Sequence, residues 1–146
     1  LYFDLQGGKC AYCERQLTDV NRAGGHDKPV DHFRPKGEVK EWRSKQDRLQ
    51  GYETGKGCRP GYRLLAHEPM NYALSCVTCN SSLKKCFFPV AGKRQLNQRK
   101  VRKLASEGPL LLYPIGDMDD DPEGLLCFDG FQIQATSEEG THDWLR

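Results

Sequence analysis

The feature that most constrains this chain is a pair of Cys-x-x-Cys motifs set far apart. Cys10 and Cys13 lie in Lys9-Cys10-Ala11-Tyr12-Cys13, and Cys76 and Cys79 in Ser75-Cys76-Val77-Thr78-Cys79. Two such knuckles supply four thiolates, the complement of a closed tetrahedral structural zinc site. The competing reading is two unrelated pairs or a redox dithiol, but a redox motif needs one pair only, within a βαβ pattern. Sixty-two residues separate the knuckles, far more than the roughly 15–20 of a simple zinc ribbon. What lies between them is therefore an insertion clamped at its base, and closing so long a loop costs little more than closing a short one. The seven cysteines are an odd number, which argues against a disulfide framework. Cys58, Cys86 and Cys127 are left as small hydrophobes without a role.

A zinc staple also answers a deficit. In 146 residues, 37% are hydrophobic and 29% charged, with a mean hydropathy of −0.74. That describes one soluble domain with a thin core. There is no run of about 18 apolar residues and no basic-then-apolar leader, so the chain reads as cytoplasmic with no membrane partner. The net charge of +2 hides a cancellation: residues 1–105 carry 21 Lys and Arg against 10 Asp and Glu (+11), and residues 106–146 carry 1 against 10 (−9). We expect a zinc-stapled domain over 1–105 and an acidic, strand-rich extension over 106–146 packed on it as one unit. A basic part of this size points to a polyanionic ligand.

Along the chain, Leu1–Leu5 reads as the end of a helix, and the termini as those of a piece of a longer protein. Pro29–Phe33 reads as extended, since Pro35 disfavours a helical conformation at Arg34. Residues 36–61, charged and rich in glycine, with Gly51, Gly55, Gly57 and Gly61 among them, read as exposed loop with one helical stretch around Val39–Leu49. Tyr62–Asn71 reads as a short packed element, and 77–86 as a helix springing from the second knuckle. A further helix is expected over Arg94–Ala105, where Leu96, Val101 and Leu104 make a narrow apolar face before Gly108-Pro109. Strands are expected at Leu110–Ile115, Leu125–Phe128 and Phe131–Ala135. Asp129-Gly130 is a hairpin signal between the last two. The acidic run Asp117–Glu123 reads as a solvated loop.

The chemistry concentrates between and just after the knuckles. In Val30-Asp31-His32-Phe33-Arg34-Pro35-Lys36, the Asp31 carboxylate is a hard oxygen ligand suited to Mg²⁺, and His32 titrates near enough to neutrality to take a proton from water. Neighbours in a strand point to opposite faces, yet at a hairpin end both can converge on one ion and its substrate. Asn80 follows Cys79 directly, so zinc would fix its amide oxygen at the start of a helix. Lys84 and Lys85 lie one turn on. Singly, each of these residues fits a plainer role: turn carboxylate, surface histidine, helix cap, solvated cation. Their joint order around one zinc cluster is what carries the functional reading. A zinc deaminase is excluded by the lack of H-x-E and P-C-x-x-C. His26, His67 and His142 have no assignable partner.

The order Cys10-x-x-Cys13, Asp31-His32-x-x-Pro35, Asn71, Cys76-x-x-Cys79-Asn80, Lys84 resembles the HNH nuclease motif, whose fold is a ββα-metal finger. More narrowly, Cys-Ala-Tyr-Cys-Glu at 10–14, Asp-His-Phe-Arg-Pro-Lys at 31–36, Asn71 to Asn80 and Phe88-Pro89 resemble the HNH effectors of Septu-type and retron-associated anti-phage systems, over about residues 1–90. The resemblance implies an α+β fold: a ββα finger stapled by a four-cysteine zinc site, with flanking helices and a strand-rich C-terminal segment. It implies a metal-dependent endonuclease hydrolysing DNA phosphodiesters, with His32 as general base. Asp31 and Asn80 would ligate one Mg²⁺ or Mn²⁺, and Asn71 would brace the loop that orients His32. Cys10, Cys13, Cys76 and Cys79 would hold structural zinc, while Arg34, Lys36, Lys84 and Lys85 would contact phosphates. It also implies an SMC- or ABC-like ATPase partner. The alternative from a different class is a non-catalytic zinc-stapled module that grips nucleic acid or a protein.

Overall fold

The computed structural model describes residues 1–17, 30–42, 54–116, 119 and 122–136. In chain order these form a short helix α1 (Tyr2–Leu5), strand β1 (Val30–His32), 3-10 turns at Arg63–Leu65 and Pro69–Asn71, and strand β2 (Tyr72–Leu74). A π-helical turn at Thr78–Lys84, 3-10 turns at Val101–Lys103 and Ala105–Glu107, helix α2 (Pro122–Leu125) and strands β3 (Leu126–Asp129) and β4 (Gln132–Ala135) complete them. This is a small α+β structure with two separate antiparallel pairs, β1–β2 and β3–β4.

The β1–β2 ladder joins Val30 to Leu74, Asp31 to Ala73 and His32 to Tyr72. Its outer side is finished by a side chain: the Gln6 amide donates to the Leu74 carbonyl at 2.9 Å and accepts from the Leu74 N–H at 2.8 Å, so α1 docks where a third strand would run. The first knuckle is a tight loop closed by the Lys9–Gln16 bridge. Gly8 enters it at φ +72, where an added Cβ would sit 2.6 Å from the Gln16 amide and 2.9 Å from the Phe3 ring. Only glycine meets both demands.

The core is aromatic. Phe33, Tyr62 and Phe88 are fully buried, and Phe33 meets Phe88 and Tyr113 edge-on at 5.4 and 5.2 Å between centroids. Val39, Leu65, Val90, Leu104 and Ile115 fill the space around them. A second cluster gathers Leu17 and Leu74 around the buried cysteines. Tyr113 and Ile115 lie within the first cluster, so the chain beyond residue 105 helps to build the core that the earlier residues start.

Four expectations from sequence differ from this structure. Arg94–Ala105 is not one helix but two 3-10 turns near its end. Leu96, Val101 and Leu104 make too narrow a stripe for a whole helix; the 3-10 turns alone bury Val101 and Leu104, and Arg94 and Gln95 are drawn to the Phe88 carbonyl at 2.7 Å and to Glu107 at 2.5 Å. Leu110–Ile115 is not a strand, because Pro109 and Pro114 remove ladder donors; pairing there is limited to the Val90–Pro109 bridge. The 77–86 helix is present as a wider π turn over Thr78–Lys84. Val39 and Lys40 form isolated bridges to Cys58 and Phe87 rather than opening a helix, and 43–49 of that expected stretch lie outside the described residues. The hairpin around Asp129-Gly130 is present as β3–β4. Most of the run Asp117–Glu123, and His26 and His142, lie outside the described residues or side chains. Among the described residues, no helix is long and apolar enough to cross a membrane.

Candidate metal centre and its neighbours

Cys10, Cys13, Cys76 and Cys79 bring their sulfurs within 4.8 Å of one another, although 62 residues of sequence lie between the two pairs. The second knuckle is oriented by backbone donors: the Cys76 N–H points to the Cys10 Sγ at 3.2 Å and the Cys79 N–H to the Cys76 Sγ at 3.4 Å. Burial by itself would raise the Cys10 thiol, but N–H bonds from Cys76, Tyr12 and Cys13 outweigh it and bring the thiol down to about 7. Burial and the neighbouring thiols push Cys79 the other way. Four soft sulfur donors at this spacing, with N–H groups stabilising thiolate, fit Zn²⁺. The four cysteines form the metal-type cluster of His, Cys, Asp and Glu side chains among the described residues.

Asp31 and His32 leave β1 on opposite faces, and their surroundings differ completely. The Asp31 carboxylate is buried: Tyr12 donates its O–H to Oδ2 at 2.5 Å, and the Lys84 ammonium lies 2.8 Å from the same oxygen. Lys84 also donates to the His32 carbonyl at 2.8 Å. Burial pushes the Lys84 ammonium below its ordinary value while Asp31 opposes the fall. Burial, followed by the charge of Asp31, pushes the Tyr12 phenol up, which keeps it protonated as a donor. On the far side of Tyr12 and Lys84, a mostly apolar cavity of about 380 Å³ is walled by Trp42, Leu83 and Phe87.

His32 is half-buried against Tyr72, with ring centroids 5.0 Å apart. Its Nε2 lies 3.2 Å from the Ala66 carbonyl. A carbonyl can only accept, so Nε2 carries the proton and Nδ1 holds the lone pair. Desolvation lowers the imidazole below its usual range, with Ala66 and Asp31 pulling partly back and Lys36 and Lys84 adding to the fall. The neutral ring is favoured.

Asn71 is fully buried and clamps the bend after His32. Its Oδ1 accepts from the Arg34 N–H at 2.8 Å, its Nδ2 donates to the Arg34 carbonyl at 3.0 Å, and its own carbonyl takes the Phe33 N–H at 2.8 Å. Asn80 is half-buried at the start of the π turn, where its N–H bonds the Cys76 carbonyl at 3.0 Å and its carbonyl accepts from Lys85 at 2.9 Å. The second knuckle therefore fixes its backbone.

The four cations expected at phosphates divide evenly. Lys36 and Lys85 are turned outward, both exposed. Arg34 and Lys84 turn inward: Arg34 is 4% exposed, stacks 4.7 Å from the Phe88 ring centre and sits 3.5 Å from the buried Glu107 carboxylate, while Lys84 is held by Asp31. The reason is charge balance, because two carboxylates buried at non-local positions each recruit a cation. Sequence reasoning gives Tyr12 and Glu107 no role. Tyr12 carries a signal in its place between two metal-ligand cysteines; Glu107 carries none.

These features define a small α+β domain organised around a four-cysteine cluster of zinc type. The chain is similar to the Septu protein PtuB of Bacillus mycoides (strain KBAB4), with 33% identity over 122 residues, or 83% of this chain and 35% of that protein. It thus spans about a third of its relative's length. No family model and no solved structure matches the chain.

Proposed function

We propose that this chain is a metal-dependent endonuclease of the HNH type that hydrolyses DNA phosphodiester bonds, as the nuclease effector of an anti-phage defence complex with an SMC- or ABC-like ATPase partner. The observation that carries the reading is His32. It has a neutral ring with Nε2–H committed to a main-chain carbonyl and Nδ1 left as base, on a strand clamped by Asn71 and paired with the strand that runs into the Asn80 turn. The order β1, β2, helical turn on a cysteine cluster supports the reading as a ββα finger.

Asp31 and Asn80 offer a carboxylate and an amide oxygen, hard donors that suit Mg²⁺ or Mn²⁺. Such an ion would neutralise the phosphate and stabilise the leaving 3′-oxygen. His32 Nδ1 takes the proton from the attacking water. Asn71 fixes the bend that sets the direction of the ring. Lys36 and Lys85, both turned outward, hold the nucleic-acid backbone. Similarity to a Septu protein supports the defence role, and the +11 surplus of residues 1–105 supports a polyanionic substrate.

Supercoiled plasmid incubated with Mn²⁺ or Mg²⁺ and the purified chain tests this. Nicking or linearisation is expected, and His32→Ala should lower the rate by about 10²-fold or more. An unchanged rate in that variant removes His32 as base. The non-catalytic adaptor reading has one observation in its favour, the engagement of Asp31 by Lys84 and Tyr12 rather than by an open site. It predicts binding to DNA with no cleavage under any divalent ion.

A further inference from the structure

We infer that Tyr12 is a positioning residue that couples the cysteine cluster to the carboxylate proposed for the catalytic ion, so that an intact knuckle sets divalent-cation affinity at Asp31. The inference rests on the nuclease reading and concerns the control of that same site.

Each knuckle sends one donor to Asp31. Tyr12 stands between Cys10 and Cys13, and its hydroxyl reaches Oδ2 at 2.5 Å across 19 residues of sequence. Lys84 ends the π turn that contains Cys79, and its ammonium reaches the same oxygen at 2.8 Å. The wider coil of that turn closes with an i to i+5 bond, Lys85 N–H to the Asn80 carbonyl at 2.9 Å. Lys84 then goes back to β1, where it bonds the His32 carbonyl as well. Both donors address Oδ2, and neither bond is made to Oδ1. A carboxylate held by one oxygen presents the other in a fixed direction. Outer partners that orient a ligating carboxylate in this way are typically worth about 10–100-fold in metal affinity.

Tyr12 and Lys84 differ in what they do to a cation. The tyrosine is neutral and only orients, whereas the ammonium adds a like charge within the same group's reach. Tyr12→Phe therefore isolates orientation: the ring stays, the packing beside the cavity stays, and one hydrogen bond goes.

The test uses the zinc-loaded full chain and Mn²⁺ as probe, with free Mn²⁺ read by electron paramagnetic resonance. Zinc content comes from elemental analysis, and folding from the thermal midpoint. Tyr12→Phe is expected to keep one zinc per chain and to bind Mn²⁺ about 10-fold more weakly. Its cleavage should need more Mn²⁺ for half-maximal rate and reach the same plateau. Mn²⁺ affinity equal to the parent's overturns the coupling and leaves the nuclease reading standing. Loss of zinc in Tyr12→Phe also overturns it, because the phenol would then serve the cluster and not Asp31. If the parent and Asp31→Asn bind Mn²⁺ alike, the ion site itself is misplaced, and the nuclease reading falls together with the inference.

Discussion

The described residues hold two antiparallel strand pairs of nearly equal size, and they differ in everything except pairing. The β3–β4 hairpin is made by four consecutive partners around Asp129-Gly130, with Gly130 at φ +59. In its register Leu126 lies opposite Ala135 and Phe128 opposite Ile133, and the Phe128 ring is 73% exposed while Phe131 at the tip is fully exposed. The β1–β2 pair joins residues about forty positions apart and is buried at its centre, with Ala73 at 0% and Asp31 at 6% exposure, while Val30 at its end is 52% exposed. A two-stranded sheet is marginal alone. One pair is specified locally and held weakly; the other is specified non-locally and held by a cysteine cluster, a buried amide and an ion pair.

The largest effect should come from the metal. Stripping zinc with a chelator, or Cys76→Ser, should abolish hydrogen-exchange protection across β1–β2, since structural zinc supplies about 10–16 kcal/mol of apparent binding free energy in finger peptides. Protection that survives chelation would erase the contrast between the two pairs. Next, Asn71→Ala leaves the buried backbone N–H and carbonyl of Arg34 without their partners. Urea unfolding should show a loss of about 2–3 kcal/mol; a loss under about 0.5 kcal/mol would mean that the clamp is dispensable. The smallest effect belongs to the hairpin: Phe128→Ser should change unfolding free energy by no more than about 0.5 kcal/mol, because the ring is already in water. A larger cost would show that its face is covered and that the two pairs are more alike than their exposures state.

What can be read without coordinates follows the same division. The β3–β4 hairpin, the extended segment at β1 and the four cysteines are legible because a turn dipeptide, a proline rule and ligand spacing are local. The Arg94–Ala105 helix and the Leu110–Ile115 strand do not form because tertiary bonds to Glu107 and Phe88, and the donors removed by Pro109 and Pro114, override weak local patterns. Among candidate site residues, Asp31, His32, Asn71 and Asn80 stand out by order and type. Arg34 and Lys84 stand out by charge alone, and charge does not reveal which carboxylate will be buried beside it.

Residue identity and short spacing thus single out the four cysteines that cluster as a soft-metal site, and residue counts settle the net basic character of residues 1–105. Three further facts belong to the fold alone: Asp31 and His32 face different surroundings, Tyr12 and Lys84 meet on one carboxylate oxygen, and Arg34 neutralises Glu107 in the core. Each of those depends on which distant groups share a low-dielectric space, where an uncompensated charge is costly, and no local pattern encodes that.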